Sequence, residues 1–498
     1  MGHLADENRA GYSLGSYISE IWKDDYKKDF WAKYKTYNLA PRSEALDYVC
    51  RDAVYTGKLF NHLQYVLAKD GIPDSLIDHV HRLQSALLRT ELLGVRVDQG
   101  YLIQQGLKLG TQIERIRPQM RALVGSQVDL IEMGLWEEEI AKRKTPKGKV
   151  GVPRPEFSFD SGPMLKKLLY EELGLPVQHN DQTKSVSTDF ASLEKLKGLH
   201  PIVPLIQEYR ELTKIKGTYI DGILERTHEG RIYPTFRLVD DHSGMKTARI
   251  SHRDPNLGNF PKEGGVKGIF IADDGCVLSE HDYSQLEVCI EAHFTQDKNL
   301  IRIIMEGVSK HDITAASLGI ERSLAKTVNF AMQYWCGPSK LAKILGVSNA
   351  DAQLVFNKYW ETYAGCKSFK AKVDESLRNG KPIQDLFGRK RRFPGIPSWD
   401  GDKAFRQAYN FVIQSTGAQI LNNAYYKSCE WLGEGNRGRG LWTVHDSGLF
   451  QHFEKYAEES AHQIDQFMVQ EGVLCGLTIP LQVVSEVGMH RWGEELHE

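Results

Sequence analysis

The chain has 498 residues, with 63 Lys and Arg against 65 Asp and Glu, a formal net charge of −2. Hydrophobic residues make up 41% and charged residues 26%, which excludes a disordered chain, a collagen and a disulfide-stapled mini-protein and allows about three domains. The near-neutral sum argues weakly against a nucleic-acid partner, because such proteins often carry a positive surplus. The seven cysteines are widely spaced with no C-x-x-C, so a reducing compartment is expected and a disulfide framework is not. No apolar run approaches the ~18 residues of a membrane span. Met1–Glu7 lacks the basic and apolar regions of a signal peptide. The expected location is the cytoplasm.

Residues 1–70 are rich in aromatics and charges, and a helical pattern begins after Pro41 with Ala45, Tyr48, Val49, Asp52, Leu59 and Leu63. Gly71-Ile72-Pro73 interrupts it, and residues 74–124 read as long helices broken at Gly94–Asp98. Residues 142–154 hold six basic residues and no acidic one, either a solvated linker or an arm that contacts phosphates. Residues 157–225 return to amphipathic helices. From 230 onward strand-like runs appear at 231–236, 268–271, 276–279 and 441–444, separated by helical stretches at 285–306, 322–336, 350–379 and 404–432. That order argues an α+β domain.

Three segments carry chemistry. In His281-Asp282-Tyr283-Ser284-Gln285-Leu286-Glu287 an apolar strand ends on Asp282 as a helix begins. A carboxylate at a strand end is rigidly aimed, as a hard cation requires, although alone it is more often a helix cap. In Val444-His445-Asp446-Ser447-Gly448 a second Asp stands at the tip of a hairpin. Arg322, Lys326, Phe330 and Tyr334 recur every four residues, a helical stripe ~18 Å long that runs cation, cation, aromatic, aromatic. Two isolated Asp residues can hold two metal ions ~3.5–4 Å apart, and a cationic helix can bind the triphosphate those ions bridge.

With these motifs the sequence resembles family A DNA polymerases, the bacterial polymerase I and bacteriophage replicative type. DYSQLE resembles motif A, R-x3-K-x3-F-x3-Y motif B and VHD motif C. Thr247–Ser251 with Asp254–Asn259, Arg406-x3-Asn410-x3-Gln414, and Glu208–Arg210 with Lys216–Tyr219 resemble further family segments. The resemblance implies a right-hand architecture of palm, fingers and thumb, with a mainly helical thumb and fingers and an antiparallel palm sheet. Residues 1–70 would be a remnant of a 3′–5′ exonuclease-like domain and 71–229 the thumb. Residues 230–498 would be palm and fingers, with the fingers near 300–400 and the palm returning near 404–498.

The implied activity is template-directed DNA synthesis from dNTPs with two Mg²⁺ ions. Asp282, Asp446 and the Tyr283 backbone carbonyl would hold the metals. Arg322, Lys326 and His311 would neutralise triphosphate charge, with Lys326 also a proton donor. Phe330 would lie against the sugar and Tyr334 near the templating pair. Gln285 and Glu287 would also line the dNTP site, Glu287 as a gate against ribose. Arg249, Asn256, Arg406, Asn410, Gln414 and His445 would contact primer and template. Thumb phosphate contacts would come from Lys214 and Lys216, with Arg389–Arg392 a further basic cluster.

Three departures stand out: Ser447 replaces the usual Glu of motif C, Cys289 a usual Arg, and Trp335, beside the template, a usual Gly. Ser447 raises a rival, since single-subunit RNA polymerases often have His-Asp-Ser there; another is a catalytically impaired DNA-binding subunit of a split polymerase. Tyr48-x3-Asp52 resembles the third exonuclease motif, but no Asp-x-Glu precedes it. The chain alone is therefore expected not to proofread, and a separate exonuclease polypeptide or processivity factor is a candidate partner. Replication and repair, in a bacterial cell or a phage-infected host, are the implied settings. Asp78, His79 and His81 read as surface groups, and 433–440 as a flexible loop.

Overall fold

A computed structural model describes the chain except residues 10, 143–151, 181–182, 240–245, 262–264, 334, 396–400 and 494–498. Tyr334 and most of the basic segment 142–154 thus lie outside the described residues. The chain forms two compact units, one of Met1–Val95, Tyr233–Asn259 and Ile271–Glu498, the other of Arg96–Ile232 and Phe260–Phe270.

In chain order, after short helical turns at Gly2–Ala5, Leu14–Tyr17 and Ile18–Trp22, the first unit holds helices α1 (Tyr26–Lys33), α2 (Arg42–Lys69) and α3 (Asp74–Leu93). The second unit is built on α4 (Gln99–Lys142), kinked at Val124, and α5 (Ile202–Lys214). Its core joins Ile113, Ile116 and Met120 of α4 to Ile202, Ile206 and Tyr209 of α5. Of segment 268–271, expected as a strand, Gly268-Ile269 close a 3-10 turn over Val266–Ile269, entered through Gly265 at φ +67°, while Phe270 and Ile271 make isolated antiparallel bridges to Val97 and Arg491.

The first unit then holds β1 (Cys276–Tyr283), α6 (Leu286–Thr295), α7 (Lys310–Leu318), α8 (Arg322–Gln333), α9 (Asn349–Thr362), α10 (Ala364–Arg378), α11 (Gly401–Glu434), β2 (Gly438–Val444), β3 (Ser447–Phe453), α12 (Ala457–Leu474) and β4 (Val483–Met489). The four strands form one antiparallel sheet in the order β4-β1-β3-β2. The fold is α+β, as the strand–helix alternation implies. Buried side chains on both faces of β1 explain its apolar start, Cys276, Val277 and Leu278, and the polar second half leads to the exposed Asp282.

The stretch 433–440 is not a flexible loop. It is the end of α11, a turn and the start of β2. Gly438 and Gly440 are required there, because a Cβ would collide with the Gln451 carbonyl at the first and with the Cys429 sulfur at the second. His79 is half-buried against Phe387 and Tyr426 rather than a surface group.

Candidate active site

The sheet brings the two aspartates together. Asp282, near the end of β1, lies opposite Ser447 on β3 and Val484 on β4. Val444 pairs with Ser447, so His445-Asp446 is a two-residue hairpin loop, and His445 takes the positive φ (+53°) such a loop demands. The Tyr283 N–H donates to the Asp446 carbonyl at 3.2 Å. Tyr283 is fixed below by its hydroxyl, which donates to the Met468 carbonyl at 2.8 Å.

The electrostatics of this corner are those of crowded carboxylates. Burial first, then the charges of Glu287 and Asp282, raise the Asp446 carboxyl to about 6, and Arg249 opposes them. Arg249 donates to Glu287 at 2.8 Å. Its neighbour Ala248 is held at φ +57° while Asn422 donates to the Ala248 carbonyl at 2.9 Å. Gln285, at φ +55°, caps the start of α6 and is exposed.

Ser447 is not a simple loss of a carboxylate. Its hydroxyl donates to Glu280 at 3.1 Å, and the Trp492 indole N–H donates to the other Glu280 oxygen at 2.8 Å. Glu280 precedes Asp282 by two residues on β1, on the same strand face. No motif pointed to Glu280, which lies in the polar half of the strand, between Ser279 and His281. Behind the strand runs a second polar chain unseen in the sequence. Buried His281 contacts Asp465 at 2.7 Å and Ser279 at 2.9 Å, and Ser279 contacts His452 at 2.5 Å.

The cationic helix forms as its periodicity implies. Ala325, Val328 and Met332 of α8 are wholly buried, while Arg322, Lys326 and Phe330 are exposed along one stripe. Arg322 pairs with Asp312 of α7 at 2.7 Å. Both partners are more than half exposed, so the pair is worth under about 1 kcal/mol and gives way to a phosphate at little cost. His311 lies on α7 against the Phe330 ring, at 6.3 Å between centroids. Burial, then Arg322, Lys326 and Lys310, hold its imidazole below the ordinary range.

On α11, Arg406, Asn410 and Gln414 are each half-buried at four-residue spacing, one helical face. Asn256 is exposed. Several expectations need correction. Trp335 is 7% exposed and stacked on Trp360 at 3.9 Å, part of the core rather than a side chain beside the template. Cys289 is buried, and burial pushes its thiol up to about 11. The cluster Arg389–Arg392 is engaged internally: Arg389 is buried, Lys390 pairs with Asp70, and Arg392 with Glu7 and Asp70. Lys216 pairs with Asp221 at 2.7 Å. Near the N-terminus, Asp52 is bonded by Lys27 at 2.7 Å and by the Tyr26 hydroxyl. The Tyr48 hydroxyl accepts from Lys27 at 3.0 Å and from Trp31 at 3.1 Å.

One aspartate near a strand end, a second at the adjoining hairpin tip and a cationic helix in the same unit are the parts a nucleotide polymerase uses. DNA polymerase family A matches residues 136–494, and the chain belongs to that family. It is 31% identical over 426 residues to the thermostable DNA polymerase I of Thermus aquaticus, covering 82% of this chain and 46% of the relative. It is 31% identical over 459 residues to DNA polymerase I of Deinococcus radiodurans, covering 88% of this chain and 43% of the relative. The chain thus spans about half the length of these curated relatives. Among solved structures, the POL domain of Pol1 from M. smegmatis, in complex with DNA primer-template and dNTP, shares the fold. Its TM-score is 0.81 at 22% identity, covering 99% of this chain and 81% of that one. Family A polymerases use divalent metal ions. No helix among the described residues is long and apolar enough to cross a membrane.

Proposed function

We propose that the chain is a template-directed, DNA-dependent DNA polymerase that extends a primer 3′ end with dNTPs by two-metal-ion nucleotidyl transfer. The observation that carries this is the register Asp282 opposite Ser447, with Asp446 at the adjoining hairpin tip and its carboxyl raised by burial and its carboxylate neighbours. Such crowding suits a divalent cation, and Mg²⁺ is commonly bound by one or two carboxylates together with substrate phosphates. Asp282, Asp446 and the Tyr283 carbonyl would hold the ions. Bound there, Mg²⁺ supplies acidification of the primer 3′-hydroxyl and charge neutralisation on the pyrophosphate leaving group.

The protein's own share is positioning and charge. Lys326 and Arg322 hold the triphosphate, with Lys326 placed to give a proton to pyrophosphate. Phe330, 55% exposed, offers its ring to the sugar, and the family resemblance assigns Tyr334 a role near the templating pair. Glu287, braced by Arg249, fills the space of a ribose 2′-hydroxyl. Arg406, Asn410, Gln414, Asn256 and His445 guide primer and template. Glu280 restores a carboxylate where Ser447 lacks one. The setting is replication or repair in the cytoplasm of a bacterial cell or a phage-infected host.

Primer extension tests the reading. The purified chain extends a primed template with dNTPs and Mg²⁺, and preference for rNTPs overturns the assignment in favour of an RNA polymerase. Lys326→Ala raises the dNTP KM and lowers kcat, together about ten- to hundredfold in kcat/KM, the worth of a charge-assisted contact. The same chain leaves a mismatched 3′ end intact. Asp52 is already engaged by Lys27 and Tyr26 rather than free for a nuclease metal, and a separate exonuclease polypeptide is the candidate source of proofreading. A 3′-labelled mismatched primer trimmed by the chain alone contradicts this.

A further inference from the structure

Asn329 sits on α8 immediately before Phe330, on the buried side of the helix, and is 3% exposed. Its side chain makes four hydrogen bonds. The carbonyl oxygen accepts from Thr314 at 3.0 Å and from Tyr359 at 3.1 Å. The amide nitrogen faces the Lys310 backbone carbonyl at 3.4 Å and His311 Nδ1 at 3.0 Å. Thr314 is in turn 2.9 Å from the Tyr363 hydroxyl. Thr314, Tyr359 and Tyr363 are all at most 2% exposed, so the amide is clamped from two helices, α7 and α9.

The orientation of that amide is fixed by chemistry. A backbone carbonyl can only accept, so the side of Asn329 facing Lys310 must be the nitrogen. The nitrogen has two hydrogens, and the second points at His311 Nδ1. A donor facing Nδ1 requires a bare lone pair there, which places the ring proton on Nε2.

We propose that Asn329 is a positioning residue that fixes His311 as the neutral Nε2–H tautomer, so that His311 meets the triphosphate as a hydrogen-bond donor rather than as a cation. This rests on the reading above that His311 faces the triphosphate. Positive charge at the triphosphate then comes from Arg322 and Lys326 alone, and His311 adds direction. The charged groups around the ring agree: Arg322 and Lys326 on α8 and Lys310 on α7 disfavour an imidazolium, against the single opposing carboxylate of Asp312. Phe330 next to Asn329 gains from the same clamp, because α8 cannot rotate without breaking four hydrogen bonds.

Nitrogen-15 NMR of histidine-labelled protein tests the tautomer without reference to activity, with His311→Gln assigning the signal. At pH 7.5 the His311 ring shows protonated Nε2 and bare Nδ1; a ring protonated at Nδ1 overturns the proposal. Asn329→Asp replaces the donor by an acceptor and keeps the side-chain shape. The ring then protonates at Nδ1, and its titration moves to higher pH than in the parent. The dNTP KM of this variant rises about tenfold at pH 8, where bare Nε2 meets phosphate, and falls back toward pH 6 as the imidazolium forms. The parent KM shows no such inflection. Thr314→Val, which removes a partner of the amide oxygen only, leaves the tautomer in place. If the NMR result holds while His311→Gln leaves the dNTP KM unchanged, the triphosphate reading fails and the tautomer stands. Should Asn329→Asp not fold, the parent spectrum alone decides.

Discussion

Asp446→Asn abolishes primer extension while making the folded chain more stable. The loss of rate is about a thousandfold or more, because one of the two expected metal-holding carboxylates is gone and several kcal/mol of charge stabilisation with it. The gain in stability follows from the direction in which the carboxyl is displaced. Burial, Glu287 and Asp282 raise the Asp446 carboxyl from 3.8 to about 6. The folded chain therefore holds a proton there that the unfolded chain has released between those values. Stability from this group falls as pH rises from about 4 to about 6 and stays low above. A rise of that size corresponds to about 3 kcal/mol, reduced to about 2 by the partial solvent access of the hairpin tip. The amide carries no charge, so Asp446→Asn recovers about 2 kcal/mol at pH 7–8 and nothing below pH 4. Thermal unfolding against pH, for parent and variant, measures it. Added Mg²⁺ raises the parent midpoint more than that of the variant and extends activity to lower pH, since a bound cation competes with the proton. Equal stability of the two proteins at pH 8 would falsify the crowded-carboxylate account.

Much of this site is legible in the sequence because its chemistry is local. Asp282 lies near the end of a strand that opens on an apolar run, Asp446 sits between two strand-like runs, and Arg322, Lys326 and Phe330 share a spacing of four. Each signal needs only the period of one element, and the sheet register then joins the two aspartates. Contacts far apart in sequence cannot be read in this way. Ser447 looks like a missing carboxylate because Glu280, 167 residues earlier, has no motif to announce it. Arg389–Arg392 looks like a surface for DNA because Glu7 and Asp70, its partners, are more than 300 residues away. The fold class is legible from the change of texture near 230. Segment 268–271 is only half strand-like, its first two residues closing a 3-10 turn, because a short apolar run has no period to separate the two conformations.

Trp335, just after α8, ties the end of that helix to α9 and α11. Its ring stacks on Trp360 of α9 at 3.9 Å and 11°, and meets the edges of Phe405 and Tyr409 of α11 at 5.2 and 5.3 Å. Phe405 and Tyr409 flank Arg406 and Asn410, so the position of α11 depends on this contact. The backbone of Trp335 is at φ +52°, a conformation open to glycine and strained for a bulky residue by about 1 kcal/mol. Here the stacking outweighs the strain. Trp335→Ala removes the stack and keeps the strain, costing about 3–5 kcal/mol. Trp335→Gly removes both and is the more stable of the two by about 1 kcal/mol. Trp335→Phe costs least: it keeps a ring and deletes a buried indole N–H that has no hydrogen-bond partner among the described residues. Urea unfolding should therefore rank Trp, Phe, Gly, Ala in falling stability, and an alanine variant as stable as the glycine variant removes the strain argument. As the contact loosens, the faces of α8 and α11 lose their fixed relation. The dNTP KM of Trp335→Gly then rises even at temperatures where the variant is fully folded, which separates a loss of positioning from a loss of stability.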